Sequence, residues 1–160
     1  MGKVILVCGR IGSGKTTYAR KLASEIGAVN ISHDEIMLGL FGAGFYERDP
    51  DEYGKYLDWV LEYVHRKVGE AARAGAAVIC ENGFWSREER DELKRQYAEM
   101  GVVCELHYMD TPEDVRLGRI AERNERVRQG ELGYFLTNEK DLYHFFEVPV
   151  EDEVDVWVKT

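Results

Sequence analysis

The chain has 160 residues and a hydrophobic content of 44%, which predicts one compact domain, residues 1–160, with a sizeable core. Its formal net charge is −9, and because residues 1–30 carry +4, the rest of the chain carries −13. Such an acidic surface would repel a long nucleic-acid backbone, so we expect a small substrate, although the end of an oligonucleotide stays an open alternative. No apolar stretch has the length of a signal peptide or membrane span, which favours a cytoplasmic protein without membrane contact.

Strand-type and helical patterns alternate along the whole chain. Five apolar runs of strand type lie at 3–8, 28–31, 76–81, 102–108 and 154–158. This alternation predicts an α/β fold in which helices cover a parallel sheet. The longest helix is expected over 51–74, and capping residues mark the starts of four helices at Ser32, Asp49, Ser86 and Thr111. Three strand-type runs contain a cysteine, and without CxxC spacing we interpret these as buried, reduced core residues: Cys8, Cys80 and Cys104.

The first strand leads directly into a phosphate-binding motif, G-x-x-x-x-G-K-[ST]. The motif consists of Gly9, Arg10, Ile11, Gly12, Ser13, Gly14, Lys15 and Thr16, and Thr17 follows it. Its glycines allow successive backbone N–H groups to point at phosphate oxygens, and the next helix adds its positive N-terminal end. We expect Lys15 to reach the β- and γ-phosphates and the Thr16 hydroxyl to hold Mg²⁺. The motif predicts that all nine residues bind a nucleoside triphosphate.

Acidic and amide side chains follow the second and third strands, at the edge where parallel sheets bind their ligands. Asp34 can accept a proton from a substrate hydroxyl that attacks the γ-phosphate, but the helix dipole also favours any first-turn acid there. Glu81 and Asn82 end the third strand. They are candidates for the outer shell of Mg²⁺ or for substrate binding, and equally for a strand end that simply meets solvent.

Seven of the eighteen aromatic residues lie between positions 41 and 63. Phe41, Phe45 and Tyr46 fall in a glycine-rich stretch, which predicts a loop and makes Phe45 and Tyr46 candidates for a substrate-binding wall. Tyr53 and Tyr56 share a helical face with apolar residues and are interpreted as core. The alternative for the whole group is that its rings only pack the long helix onto the sheet.

An arginine stripe follows the fourth strand. Its members, spaced 3, 4 and 3 apart on one helix face, are Arg116, Arg119, Arg123 and Arg126. Phosphoryl transfer needs cations near the migrating group, and Arg119 and Arg123 are the favoured candidates. The alternative is a solvated stripe neutralised by the many glutamates of this helix. Just past it, the segment Gln129-Gly130-Glu131-Leu132-Gly133 is predicted to be mobile.

Together, the phosphate loop, the Ser32-His33-Asp34 segment and the arginine pair before Asn124 resemble a family of small P-loop kinases. That family groups phage-type polynucleotide kinase domains, chloramphenicol phosphotransferase and zeta toxins, and many members are known as AAA-family ATP-binding proteins. The resemblance implies a P-loop NTPase three-layer sandwich with a parallel sheet in the order 2-3-1-4-5 and helices on both faces. It also implies Asp34 as general base, and Arg119 and Arg123 on a lid over approximately 116–137.

Two departures from the family pattern bear on the ligands. Relatives often end the third strand with Asp and Thr, where this chain has Glu81-Asn82-Gly83. The N-K-x-D guanine signature is absent from the sequence, which favours ATP over GTP.

The sequence therefore predicts an ATP- and Mg²⁺-dependent kinase that phosphorylates a hydroxyl of a small molecule. The predicted catalytic residues are Lys15, Asp34, Arg119 and Arg123. The predicted substrate-binding residues are Asp34, Phe45, Tyr46, Glu81 and Asn82. Two alternatives are a 5′-hydroxyl polynucleotide kinase and an ATP-binding switch protein that hydrolyses ATP without an acceptor.

Overall fold

The computed structural model describes residues 2–131 and 134–160. Within these residues the chain forms five strands and seven helices. In chain order these are β1 (Lys3–Cys8), α1 (Lys15–Ile26), β2 (Val29–Ser32), α2 (His33–Phe41), α3 (Phe45–Arg48), α4 (Pro50–Arg73), β3 (Ala77–Glu81), α5 (Arg87–Glu99), β4 (Val103–Asp110), α6 (Glu113–Arg128), α7 (Glu139–Leu142) and β5 (Val156–Lys159). The predicted strands and the long helix are present, with bounds that differ by one or two residues. None of the described helices is long and apolar enough to cross a membrane.

All five strands pair in parallel, in the order β2-β3-β1-β4-β5. This order confirms the topology that the family resemblance implies. The register aligns Val7 of the central strand with Glu81 on one side and His107 on the other. The carboxyl ends of β1, β2 and β3 therefore meet at one edge of the sheet, where the loops that follow them form the candidate site.

The central strand is buried on both faces. Val4, Leu6 and Cys8 pack toward α4 and α5, in a cluster that includes Val68 and Tyr97. The alternate residues Ile5 and Val7 pack toward α1, in a second cluster around Ala19. Because successive side chains of a strand point to opposite faces, this division shows helices on both sides of the sheet and confirms the three-layer arrangement.

Three of the four predicted helix caps are present. The side chains of Ser32, Asp49 and Ser86 accept hydrogen bonds from backbone N–H groups three residues on. The fourth cap is wrong, because α6 has Pro112 at its N-cap and no side-chain cap. The Thr111 hydroxyl is occupied elsewhere: it donates to the carbonyl of Ser13 at 3.0 Å, and so connects α6 to the phosphate loop.

The glycine-rich stretch is not the predicted loop. Phe41 ends α2, and Phe45 begins the four-residue helix α3. The Phe41 ring stacks on Phe45 at 4.9 Å and on Tyr56 of α4 at 5.1 Å between centroids. This ring packing holds the stretch against the long helix and compensates for the flexibility of its glycines.

The cysteine prediction is confirmed for two of three residues. Cys8 and Cys80 are buried in the sheet, Cys104 is partly buried, and none forms a disulfide. Burial raises the pKa of each thiol to about 12, so all three stay protonated at neutral pH. Of the predicted mobile segment 129–133, Leu132 and Gly133 lie outside the described residues.

Candidate active site

The phosphate loop has a backbone that only glycine accommodates at two positions. Gly12 and Gly14 have φ of 78° and 90°. A Cβ on Gly12 would also lie 2.8 Å from the Arg116 carbonyl oxygen and 2.8 Å from the side chain of Ile120. Helix α1 then begins at Lys15 with no side-chain cap on its first turn. Its uncapped N–H groups therefore face the loop, as an anion-binding helix start requires.

Lys15 curls back over the loop that precedes it. Its Nζ donates hydrogen bonds to the carbonyls of Gly9 at 2.8 Å and Arg10 at 2.9 Å. Burial lowers the pKa of Lys15 to about 8, although the nearby charge of Asp34 acts in the opposite direction. The lysine is thus partly desolvated and lies beside the carboxylate that the sequence singled out.

One arginine of the predicted stripe supports the loop and does not face the cleft. Arg116 is 4% exposed, and its Nη1 donates to the carbonyl of Ile11 at 2.8 Å. Burial lowers the pKa of this guanidinium. The four arginines therefore do not act as one set, because the helix packs its first turn directly onto the phosphate loop.

The loop suits a magnesium triphosphate in both shape and donors. The hydroxyl oxygen of Ser13 is buried and has no hydrogen-bond partner among the described residues. The uncapped helix start and the Lys15 ammonium line the cleft and offer donors to phosphate oxygens, whereas Ser13 is fully buried and does not line it. Thr16 lines the same cleft and is the candidate Mg²⁺ ligand of the loop. Among residues 2–131 and 134–160, no group of three or more His, Cys, Asp and Glu side chains could hold a metal ion.

A cleft of about 680 Å³ extends from this loop along the edge of the sheet. Most of the sequence-predicted site residues line it, namely Ile11, Gly12, Gly14, Lys15, Thr16, Thr17, Asp34, Tyr46, Glu81, Asn82, Arg119 and Arg123. Gly9, Arg10 and Ser13 belong to the loop but do not line the cleft, and Phe45 does not line it either, although its ring packs against Tyr53 with 6.1 Å between centroids. Arg20 and Trp85 also line the cleft, and the sequence analysis did not select them as site residues.

Asp34 presents an ionised carboxylate to the cleft. The side chain is 59% exposed, and its Oδ1 lies 3.0 Å from Nε2 of His33. Burial in the cleft disfavours the charged form of this carboxyl group. The hydrogen bond from His33 and the positive charges of Lys15 and Arg123 outweigh burial, so the pKa of Asp34 is lowered. At neutral pH Asp34 is therefore available as a proton acceptor.

Glu81 and Asn82 are buried at the end of β3, so they do not form a solvated strand end. Glu81 is 4% exposed and accepts a hydrogen bond from Nδ2 of Asn30 at 3.2 Å. Its negative charge opposes the lowering of the Lys15 pKa by burial, so Glu81 also acts on the phosphate loop. Next to this pair, Gly83 lies beneath the Trp85 ring, which leaves no space for a Cβ.

Arg119 and Arg123 reach the cleft from α6. A Cβ built on Gly14 would lie 3.3 Å from Nη1 of Arg119, which puts that guanidinium above the phosphate loop. Arg123 donates from Nη2 to the Thr137 hydroxyl, while its Nε is buried without a partner among the described residues. Burial lowers the pKa of Arg123, and the charge of Asp34 opposes that shift.

The segment after α6 is held against the helix by a paired amide. Asn124 donates to the carbonyl of Thr137 at 2.8 Å and accepts from its N–H at 2.9 Å. Both residues are buried. This pair fixes residues 134–137 beside Arg123, whose guanidinium lies 5.8 Å from the centre of the Tyr134 ring.

Three aromatic rings form one wall of the cleft. Tyr46 of α3, Tyr53 of α4 and Phe135 pack edge to face, with centroids 5.0 to 6.4 Å apart. The Tyr46 hydroxyl donates to Oδ1 of Asp141 at 2.9 Å. Burial and the charge of Asp34 raise the pKa of Tyr53, which also indicates that its hydroxyl lies near that carboxylate. The wall connects helices α3 and α4 with the segment that follows α6.

Several residues of this wall were missed or misinterpreted from the sequence. Tyr53 was interpreted as core from its helical face, and although it is 8% exposed, it also lines the cleft. Phe135, Thr137 and Asp141 come from a segment with no apolar period. Only the placement of that segment against α6 identifies them, and no local pattern could have done so.

The phosphate loop at the end of β1 and the 2-3-1-4-5 parallel sheet define the protein as a P-loop protein of the kinase-like α/β type. The chain belongs to the AAA domain family, whose model matches residues 4–134. No curated protein is detectably similar to it in sequence.

Solved structures of kinases resemble the fold over nearly its whole length. A sugar kinase from a Janibacter species is 21% identical, with 99% of this chain and 86% of that chain covered and a TM-score of 0.67. A gluconokinase from Sinorhizobium meliloti is 19% identical, with 98% and 82% covered and a TM-score of 0.64. A shikimate kinase from Acinetobacter baumannii, in complex with shikimate, is also 19% identical, with 99% and 83% covered and a TM-score of 0.60. These likenesses establish the fold.

Proposed function

We propose that the protein is an ATP-dependent kinase that transfers the γ-phosphate to a hydroxyl group of a small molecule. The observation that supports this most directly is the ionised Asp34 carboxylate, which shares one cleft with Lys15 and Arg123. A triphosphate-binding site needs only the cations. A carboxylate beside them suits an enzyme that must also remove a proton from an acceptor.

The residues divide the chemistry between them. Asp34 accepts the proton of the acceptor hydroxyl as the new O–P bond forms and the bond between the γ-phosphorus and its bridging oxygen breaks. Lys15, Arg119 and Arg123 supply positive charge to the transferring group and its leaving phosphate. Thr16 would hold Mg²⁺, which when bound neutralises charge on the phosphate oxygens. The part of α6 that carries Arg119 and Arg123 acts with residues 134–137 as a lid that covers the loop and excludes water, while Arg116 stays packed on the loop.

The acceptor binds between Asp34 and the aromatic wall of Tyr46, Tyr53 and Phe135. The phosphate loop lies at the end of β1, and in-line attack requires the acceptor on the far side of the γ-phosphate from the nucleotide. We assign the acceptor to the aromatic wall because its rings offer apolar surface to the body of a sugar, nucleoside or other ring compound. Glu81 and Asn82 form the floor between the two ligands. Phe45 is omitted from this proposal, because its ring packs against Phe41 and Tyr56.

The kinases with this fold are described as acting on sugars, gluconate and shikimate, and this supports a small acceptor. The charge of −13 on residues 31–160 points in the same direction, because a nucleic-acid backbone would meet repulsion over most of the surface. The test below distinguishes this function from its two rivals, a polynucleotide acceptor and hydrolysis without an acceptor.

The test is a screen for acceptors with Mg-ATP. Sugars, nucleosides, aminoglycosides and an oligonucleotide with a free 5′-hydroxyl are each incubated with the protein, and ³¹P NMR follows the formation of a phosphomonoester. We expect a small-molecule product, and we expect Asp34→Asn to reduce its rate by about a hundredfold or more at unchanged ATP affinity. A product with the oligonucleotide alone, or steady release of inorganic phosphate with every compound, would replace the proposal by one of its rivals.

A further inference from the structure

His33 and Asp34 form a side-chain pair that helix geometry does not produce by itself. They are the first two residues of α2, and side chains one residue apart on a helix point about 100° away from each other. Nevertheless Nε2 of His33 lies 3.0 Å from Oδ1 of Asp34. Both side chains must turn around the helix start to make this contact, so it depends on the surroundings of His33.

The imidazole of His33 is mostly buried, whereas the carboxylate of Asp34 is open to the cleft. The His33 side chain is 19% exposed, against 59% for Asp34. Its Nδ1 is buried and makes no hydrogen bond within the described residues. Burial disfavours the charged ring, but Asp34, the side chain of Asn82 and the backbone of Glu81 outweigh it and raise the pKa of His33. The ring thus lines the same cleft as Asp34 but is the more buried of the two side chains.

Asp34 needs such a restraint because two strong cations compete for it. Lys15 and Arg123 both lie near enough to lower its pKa. An aspartate side chain rotates with little resistance about its last bond. Without another partner, the carboxylate would turn toward the lysine or the arginine and form an ion pair with a group that the phosphates require. A bond from the opposite side keeps one oxygen away from these cations and the other free for a hydroxyl.

We propose that His33 is a positioning residue, which holds the Asp34 carboxylate in the orientation that the acceptor hydroxyl requires. The proposal rests on the kinase function and on Asp34 as its base. His33 lines the cleft, but its Nε2 is engaged by Asp34 and its Nδ1 is buried. It acts through Asp34, so its contribution exists only while Asp34 can act as a base.

A double-mutant cycle tests this dependence. His33→Leu removes the donor, whereas His33→Gln keeps an N–H near the Nε2 position without the ring charge. Both are made in the parent protein and in Asp34→Asn, and the rate is measured as hydrolysis of Mg-ATP and as transfer to the acceptor from the screen. We expect His33→Leu to reduce the rate about tenfold or more in the parent and less than about twofold in Asp34→Asn. His33→Gln should retain the parent rate within about threefold, and none of the variants should change ATP affinity.

NMR titration of the histidine ring reports the contact without any activity. The pKa of His33 should fall in Asp34→Asn, because the carboxylate raises it, while the signal of His107 in β4, whose pKa depends on burial and on Glu105, serves as an internal reference. Equal losses from His33→Leu in both backgrounds, or an unchanged His33 titration in Asp34→Asn, would overturn the positioning role. If Asp34→Asn itself reacts at the parent rate, the failure lies in the proposed base, and the inference about His33 falls with it.

Discussion

The nucleotide half of the cleft is built from nine consecutive residues, Gly9 to Thr17, whereas the acceptor half is built from side chains on several separate segments. In the first half the ligand would meet backbone N–H groups, which any sequence with the right glycines can present. In the second half it would meet the rings of Tyr46, Tyr53 and Phe135 and the carboxylate of Asp34. The difference separates what a P-loop fold shares from what makes one of its members specific.

The two halves also differ in how they are supported. The phosphate loop is braced from outside by α6, through Arg116 on the Ile11 carbonyl and Thr111 on the Ser13 carbonyl. Among the described residues, the rings of the acceptor wall make one hydrogen bond, from Tyr46 to Asp141, and the wall otherwise depends on ring packing and on the Asn124–Thr137 pair near Phe135. We therefore expect substitutions in the loop to act on catalysis through one rigid unit, and substitutions in the wall to change acceptor binding separately from nucleotide binding.

The largest effect is expected from Lys15→Ala. Turnover should fall by about a hundredfold or more, because the ammonium that neutralises the β- and γ-phosphates is lost. The free energy of unfolding should change by no more than about 1 kcal/mol, since Nζ bonds only carbonyls of its own loop here. Calorimetric titration with Mg-ATP, turnover and thermal unfolding are measured together, with Lys67→Ala on the exposed face of α4 as the control. Unchanged ATP affinity and turnover in Lys15→Ala would contradict the phosphate-loop assignment.

The sequence predicts the phosphate loop well and the acceptor wall poorly. The loop, the sheet order and three helix caps were predictable because each depends on residues close together in the chain or on a family pattern. The motif also predicts the role of Lys15 at the phosphates, which stays a prediction. Where neighbouring residues alone decide a structure, as in the phosphate loop and the helix caps, the sequence pattern is sufficient to predict that structure.

The acceptor wall was not predictable in this way. Tyr53 could be assigned to the core by its period, but only the tertiary structure brings Phe135 to its other side. Thr111 shows the same limit, because its hydroxyl suits a helix cap locally but bonds the Ser13 carbonyl once α6 is packed. Arg116 looks equivalent to Arg119 along the helix, yet the packing of α6 onto the phosphate loop buries Arg116 and leaves Arg119 exposed.

The arginines of α6 connect the two halves, and their loss should have the second-largest effect. Arg123→Ala should lower kcat by about 10- to 100-fold and Arg119→Ala somewhat less, each with ATP affinity within about fivefold. Arg123 has the larger role because it also contacts Thr137 and lies near Asp34. Arg128→Ala, at the exposed end of the same helix, should leave kcat unchanged. Parent activity in both single variants and in the double variant would reduce the pair to surface charge.

The smallest effect, and the sharpest separation of the two halves, is expected from Tyr46→Phe. The substitution keeps the ring in the wall and removes the bond to Asp141, so the segment after α6 is held less firmly over the acceptor. KM for the acceptor found in the screen should rise about three- to tenfold, whereas kcat and the affinity for ATP should stay near the parent values. The loss of one hydrogen bond should lower the free energy of unfolding by no more than about 1 kcal/mol.

Phe45→Ala is the comparison variant, since its ring does not line the cleft but packs on Phe41, on Tyr56 and, from outside the cleft lining, on Tyr53. It should lower the free energy of unfolding by about 1–3 kcal/mol, because it removes a partly buried ring from that cluster, and it should change the acceptor KM less than Tyr46→Phe does. A larger KM change in Tyr46→Phe and a larger stability loss in Phe45→Ala would show that Tyr46 contributes to acceptor binding and Phe45 to packing. If instead Phe45→Ala changes KM and Tyr46→Phe changes only stability, then the two rings have exchanged roles in the proposal. In that case the acceptor lies deeper, against α2 and α4, than the wall of Tyr46, Tyr53 and Phe135 implies.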